Sequence, residues 1–404
     1  VQEFRAQIPA LMHRRDPALT GTKRFSETGI VKQINRFEKM EQKMKTRFIQ
    51  GRRDPGVYGI AARAIKNVGI LLLLMIIIQG VEAQTANPRQ YQYTFTVAKD
   101  GSGDFKYIQD AIDAMRVYPL APITLYIKNG VYNEKIELPA NNTDVNFIGE
   151  SADSTIITFN DYSGRGRLTT FTSFTAKISG NRFYAQNITF ANTAGRVGQA
   201  VALYVDADKA VFRNCRFLGD QDTIFSAGET ARQLFIDCYI EGTTDFIFGP
   251  ATAVFQNCTI REKSASYITA ASTTPGKKFG FVFLDCKILV AADVAKVYLG
   301  RPWRAHAKTA FLRCELPRQI VAEAWNNWGN KENEKTVLYA EYKNTGDGAL
   351  PAQRAAWSKQ LTDKEAVLYT PEHIFSGGNT NLPGEKDWFR QAALKPFTWP
   401  VKKQ

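Results

Sequence analysis

The chain has 404 residues, 44% hydrophobic and 23% charged, which describes a globular protein and excludes disordered and collagen-like classes. Its formal charge of +13 is unevenly placed: residues 1–83 hold 15 Lys/Arg against 7 Asp/Glu, a net of +8, and the remaining 321 hold 37 against 32, a net of +5. A body so nearly balanced excludes nucleic acid as a partner, while its small positive excess suits an acidic one, including an acidic polysaccharide.

The first feature along the chain is the apolar run Val68–Ile78, VGILLLLMIII. Eleven residues fall short of the roughly 20 that span a bilayer. Arg63 and Lys66 precede the run, and Val81, Glu82 and Ala83 follow it. A basic flank, a short apolar stretch and small residues before a cut describe a secretory signal peptide. Cleavage is expected after Ala83, giving a secreted, extracellular product with no stable membrane association. Such a signal belongs near a start codon, so Met40 or Met44 is the expected start and residues 1–43 have no expected folded role. The domain reading is therefore an extension plus signal peptide over 1–83 and one body over 84–404.

Phe105, Ile108, Ile112 and Met115 recur at helical spacing after Asp104, a residue type that caps helices. They predict a short amphipathic helix closing the N-terminal end of the body. Beyond it the sequence repeats. VFRNCRF ends at Phe217, LFIDCYI at Ile240, VFQNCTI at Ile260, VFLDCKI at Ile288 and AFLRCEL at Leu316; FYAQNITF, ending at Phe190, carries Ile188 in the Cys position. Each alternates apolar and polar residues, the period of a half-buried strand. Successive steps are 27, 23, 20, 28 and 28 residues, a solenoid's period. A leucine-rich repeat would need its Leu/Asn signature, and a propeller blade about twice this period. The remaining solution is an all-β parallel β-helix, with coils stacked at about 4.8 Å. Cys215, Cys238, Cys258, Cys286 and Cys314 form one expected interior ladder. Asn187, Asn214, Asp237, Asn257 and Asp285 form its neighbour. Residues past about 317 lose the repeat and are expected to pack outside as helices and loops.

Five cysteines in an exported body leave at least one thiol unpaired. Cys238 and Cys258 close the shortest loop and are the expected disulfide; the alternative is a column of small buried apolar residues. Zinc is excluded by the lack of a paired C-x-x-C and by only two histidines, His306 and His373, in the body.

Asp222 lies seven residues after Cys215, and Asp245 seven after Cys238. Equal offsets stack the two carboxylates about one strand spacing apart. Two acids so close separate in pKa: one keeps a proton for acid catalysis and the other stays anionic as nucleophile or base. Gln221 adjoins Asp222, and Gln199 lies one coil earlier. Their amides can donate to a developing oxyanion. Arg301 can pair with one aspartate, and Trp303, Phe225 and Phe248 can offer flat faces to sugar rings. Taken singly, each Asp is more often a turn residue. Their matched register, with the amides and aromatics around them, favours a site.

At these residues the sequence resembles the pectin methylesterase (pectinesterase) family. GVYNEKI from Gly130, GQAVAL from Gly198, GDQDTIF from Gly219, DFIFG from Asp245 and LGRPW from Leu299 occur in the family's order over about 170 residues. VAKDGSGDFKYIQDAI from Val97 and NRFYAQNITFANTAG from Asn181 are also similar. The resemblance implies a right-handed, single-stranded parallel β-helix and hydrolysis of the C6 methyl ester of galacturonate units in pectin, releasing methanol. It implies Asp245 as nucleophile, Asp222 as general acid and base, Gln221 and Gln199 as oxyanion donors, Arg301 as the partner orienting Asp245, and Trp303 as a subsite platform. It implies no metal or cofactor, and methyl-esterified homogalacturonan as the partner of a monomer. Phe225 stands where many members have Tyr, and Ala271 where a Gln often follows. Two other readings fit the same residues: a retaining pectin-cleaving glycosidase, which also uses carboxylates about 5 Å apart, and a non-catalytic pectin-binding protein. The absence of a G-x-S-x-G elbow argues against a serine esterase.

Overall fold

The computed structural model describes residues 91–376, 388–390 and 396–400, together with Lys39. The apolar run 68–78 and the cleavage point at Ala83 lie outside the described residues. The chain divides into two compact units, Val1–Ala86 and Asn87–Gln404, and the architecture that follows belongs to the second.

The alternating segments become strands, and each turn of the chain lays one strand in each of three sheets. These sheets have 11, 7 and 7 strands among the described residues. Neighbouring strands are parallel and in register, as in Phe212↔Phe235, Phe235↔Phe255 and Phe255↔Phe283. This is a right-handed parallel β-helix, the hand that a twisted strand and its crossover favour. Because register is kept from coil to coil, like residues stack. Phe212, Phe235, Phe255, Phe283 and Phe311 form an interior column with centroids 4.9, 4.7, 4.6 and 4.2 Å apart and rings within 12° of parallel. Each such pair adds about 0.5–1.5 kcal/mol beyond its buried area.

The cysteine column is interior as expected, with all five side chains buried. The expected Cys238–Cys258 bridge is not formed, and all five cysteines are free thiols. In-register parallel strands send stacked side chains out in the same direction, and a disulfide needs Cβ vectors that converge. The thiols instead meet backbone carbonyls: Cys238 Sγ lies 3.3 Å from Ile236 O, and Cys258 Sγ 3.4 Å from Gln256 O.

The neighbouring Asn/Asp ladder is not interior. Asn214, Asn257 and Asp285 are exposed, and Asn187 and Asp237 are half-buried. These five residues occupy a left-handed corner with φ between 47° and 58°. Asn and Asp tolerate that region best among side-chain-bearing residues. Their side chains bond from coil to coil, Asn214 Nδ2 donating to Asn187 Oδ1 at 2.8 Å and Asn257 Nδ2 to Asp237 Oδ1 at 2.6 Å.

The N-terminal helix exists, at Ile108–Asp113, with Ile108, Ala111 and Ile112 buried. Asp104 does not cap it. Asp104 accepts from Thr96 N at 2.7 Å, tying the preceding loop to the first strand, Thr94–Val97. The orphan amides of Ile108 and Gln109 are satisfied by Glu134 Oε2, at 2.9 and 3.1 Å. At the other end the coil persists further than the repeat does. Leu338–Tyr342 and Lys359–Gln360 add two strands to the 11-stranded sheet. Short helices at Asp363–Ala366 and Pro371–Phe375 follow. Leu361, Tyr369, Ile374 and Phe375 bury an outer row of that sheet, including Leu234, Val254 and Val282, in a second apolar cluster.

Candidate active site

One seven-stranded sheet carries the site. Asp222 and Asp245 sit at the corners leading into its strands Ile224–Ser226 and Ile247–Gly249. Those strands pair Ile224↔Ile247 and Phe225↔Phe248, so the aspartates occupy matching positions on adjacent coils. Both corners are left-handed, with φ of 67° at Asp222 and 50° at Asp245. Each is bonded to the next coil, Asp222 N to Thr244 O at 3.1 Å and Asp245 N to Tyr267 O at 2.7 Å.

Arg301 grips Asp245 with both arms of its fork, Nε to Oδ1 at 2.9 Å and Nη2 to Oδ2 at 2.6 Å. It enters from the strand Tyr298–Gly300, and glycine at 300 is required there. A Cβ would collide with the Thr269 hydroxyl of the preceding coil, which donates to Leu299 O at 2.9 Å. Gln199 and Gln221 form a parallel bridge on adjacent coils. Among the described residues neither side-chain amide has a protein partner, and both line the same cleft of about 210 Å³ as the two aspartates and Arg301.

The carboxylates are electrostatically unequal. Burial pushes Asp222 up to about 8, and the neighbouring Asp245 charge pushes in the same direction, with Arg301 opposing. Burial also raises Asp245, but the Arg301 fork opposes it directly. Of the pair, Asp222 is therefore the one pushed furthest toward keeping its proton, and the Arg301 fork favours the charged form of Asp245. An anionic oxygen, an acid one coil away and two unengaged amides together suit attack on a carbonyl carbon, protonation of a leaving group and stabilisation of an oxyanion.

Trp303 is half-exposed and lines the cleft. Phe225 and Phe248 are only 7% and 4% exposed. They stack on each other at 4.6 Å, and Trp303 stands edge-on to both. They form an apolar floor, of which Phe248 reaches the cleft. Sequence reasoning missed Thr170, Phe171 and Trp328, which also line the cleft, and Tyr267 beneath Arg301. The loops carrying Phe171 and Trp328 lie outside the repeat and bear no periodic signal. Tyr267 did carry one: it lies 22 residues after Asp245, the next position in the aspartate column.

Residues 94–379 match the family model described as Pectinesterase. A curated relative, Pectinesterase 31 of Arabidopsis thaliana, is 37% identical over 298 residues, covering 71% of this chain and 93% of the relative. Another from that plant, Probable pectinesterase/pectinesterase inhibitor 21, is 38% identical over 72% of this chain but 45% of its own length. The chain spans about half the length of several curated relatives that it matches. Among solved structures, pectin methylesterase from carrot superposes with a TM-score of 0.69 at 34% identity, covering 76% of this chain and 98% of that one. The chain belongs to the pectinesterase family.

Proposed function

We propose that this protein is a pectin methylesterase, hydrolysing the C6 methyl ester of galacturonate units in pectin. The observation that carries the reading is the stacking of Asp222 one coil from an Arg301-held Asp245, beside two unengaged amides. An Asp245 oxygen attacks the ester carbonyl, and Gln199 and Gln221 donate to the oxyanion. The C6–methoxy bond breaks, and the departing methoxide takes the Asp222 proton to leave as methanol. Asp222, now a base, removes a proton from water, which attacks the acyl–Asp245 anhydride. The single C6–O bond to Asp245 then breaks, freeing the galacturonic acid and the Asp245 anion, while Asp222 keeps the proton it took from water. Every proton taken is returned within one cycle.

Methanol release from highly esterified pectin tests this. The wild type is expected to release methanol without new reducing ends, and Asp245→Ala to release none while still binding pectin. New reducing ends would support a retaining glycosidase instead, and turnover by Asp245→Ala would remove the nucleophile assignment. A wild type that binds pectin and releases neither product would be a binding protein.

A further inference from the structure

We propose that Tyr267 is a positioning residue for this reaction, its ring forming the inner face of an aromatic clamp that fixes the Arg301 guanidinium in the plane from which it grips Asp245. The proposal rests on Asp245 being the nucleophile. The Arg301 guanidinium carbon lies 4.0 Å from the Tyr267 ring centroid and 3.8 Å from that of Trp328, so the fork sits between two rings. The coil order explains why. Tyr267 pairs with Tyr298 and Thr269 with Gly300, which puts Arg301 on the coil after Tyr267. Asp245 is on the coil before it, bonded to Tyr267 O. To reach Asp245, Arg301 must cross the coil between them, and Tyr267 is what it crosses.

The two faces of the clamp differ. Trp328 lines the cleft, and Tyr267 does not. Trp328 holds an unfavourable left-handed backbone, φ 61°, with its N–H donated to Asn326 Oδ1 at 2.8 Å. Its ring can therefore serve substrate as well as Arg301. Tyr267 stacks on Tyr298 at 5.1 Å and is not among the residues that line the cleft, so its contribution falls on the geometry of the reacting pair. A guanidinium held on both faces cannot rotate out of the plane of its bidentate contact. Released, it grips Asp245 less well, and the influence opposing burial weakens. The charged and titratable groups acting on or beside Asp245 are Asp222, Arg301, Glu262 and Tyr339; of these, Arg301 alone is touched by the Tyr267 ring.

The test is methanol release across pH, with thermal unfolding in parallel, for wild type, Tyr267→Leu, Tyr267→Phe and Asp245→Ala. Tyr267→Leu is expected to lower kcat by roughly tenfold with KM within about twofold, and to move the acid limb upward in pH. Tyr267→Phe keeps the ring and should restore kcat and the limb. Should Tyr267→Leu not fold, Tyr267→Met is read in the same way. A wild-type kcat in the ring-less variant, a kcat loss with an unmoved acid limb, or a Phe variant as impaired as Leu would each overturn the clamp. Turnover by Asp245→Ala would instead defeat the nucleophile reading beneath it, so the two failures are distinguishable.

Discussion

Burial holds Asp222 in the protonated state that catalysis needs, at a cost in stability at neutral pH. Its folded pKa, about 8, lies far above the 3.8 of an ordinary aspartate. Between those values the native state holds a proton that the unfolded chain has released, so stability falls as pH rises from about 4 through about 8. The sign is opposite to that of a salt-bridged aspartate. Asp222→Asn removes this titration and is expected to stabilise the protein by about 1–2 kcal/mol at pH 8, a gain that shrinks toward pH 4. Methanol release should be lost in the same variant. Thermal melts at both pH values check the first expectation; equal Tm differences at pH 4 and pH 8 would mean that Asp222 is not the protonated partner. The aspartate pair was legible in the sequence because both lie seven residues past a cysteine of the repeat. Tyr267 stood in the same column and was passed over because a ring at that position announces no acid–base chemistry.

At the scale of the element, a stacked position was legible but the direction of its side chain was not. Equal spacing put the five cysteines in one column, and they are there. Closeness alone does not bond Cys238 to Cys258, because parallel coils keep neighbouring Cβ vectors parallel. The Asn/Asp column was misplaced for a related reason: alternation says that two residues face opposite ways, but a left-handed corner interrupts it. Free thiols give a direct expectation. Reductant should leave Tm unchanged, and Cys258→Ala should be destabilised by about 1 kcal/mol, the loss of one small buried group. A fall in Tm of several degrees on reduction would show that a bridge forms. The strands past residue 317 were illegible for a third reason. In Leu338–Tyr342, Glu341 stands in register with Phe311 of the phenylalanine column and Tyr339 with Thr309, so the fold continues after its signature has stopped.

Those last coils decide how the whole solenoid ends, because a stack of coils is stabilised only through neighbours and its final interior face must be covered. Here the cover combines Trp357, packed on Tyr339, with a buried ion pair. Arg354 and Glu341, with side chains 3% and 4% exposed, pair at 2.8 and 3.1 Å. Arg354 also donates to Ala322 O at 3.1 Å and Gly348 O at 2.6 Å. Trp325 Nε1 and Asn344 Nδ2 donate to the Glu341 carboxylate. The network joins the last long strand to the loop that carries Trp328 over Arg301, so the end plug and the active site share a wall. A buried pair with all its hydrogen bonds made contributes little net stability against an apolar substitute, but removal of one member leaves the other charged and unpaired. Arg354→Ala is therefore expected to lower stability by about 3–5 kcal/mol, whereas Glu341→Leu/Arg354→Met together should cost less than Arg354→Ala alone. Urea unfolding midpoints measure both. Hydrogen exchange gives the spatial reading: in Arg354→Ala, protection should fall first at Leu338–Tyr342 and hold at Ala210–Arg213, since a linear stack opens from its damaged end. Uniform loss of protection along the solenoid, or a double variant weaker than the single, would mean that the ion pair stabilises the fold outright and is more than a means of closing it.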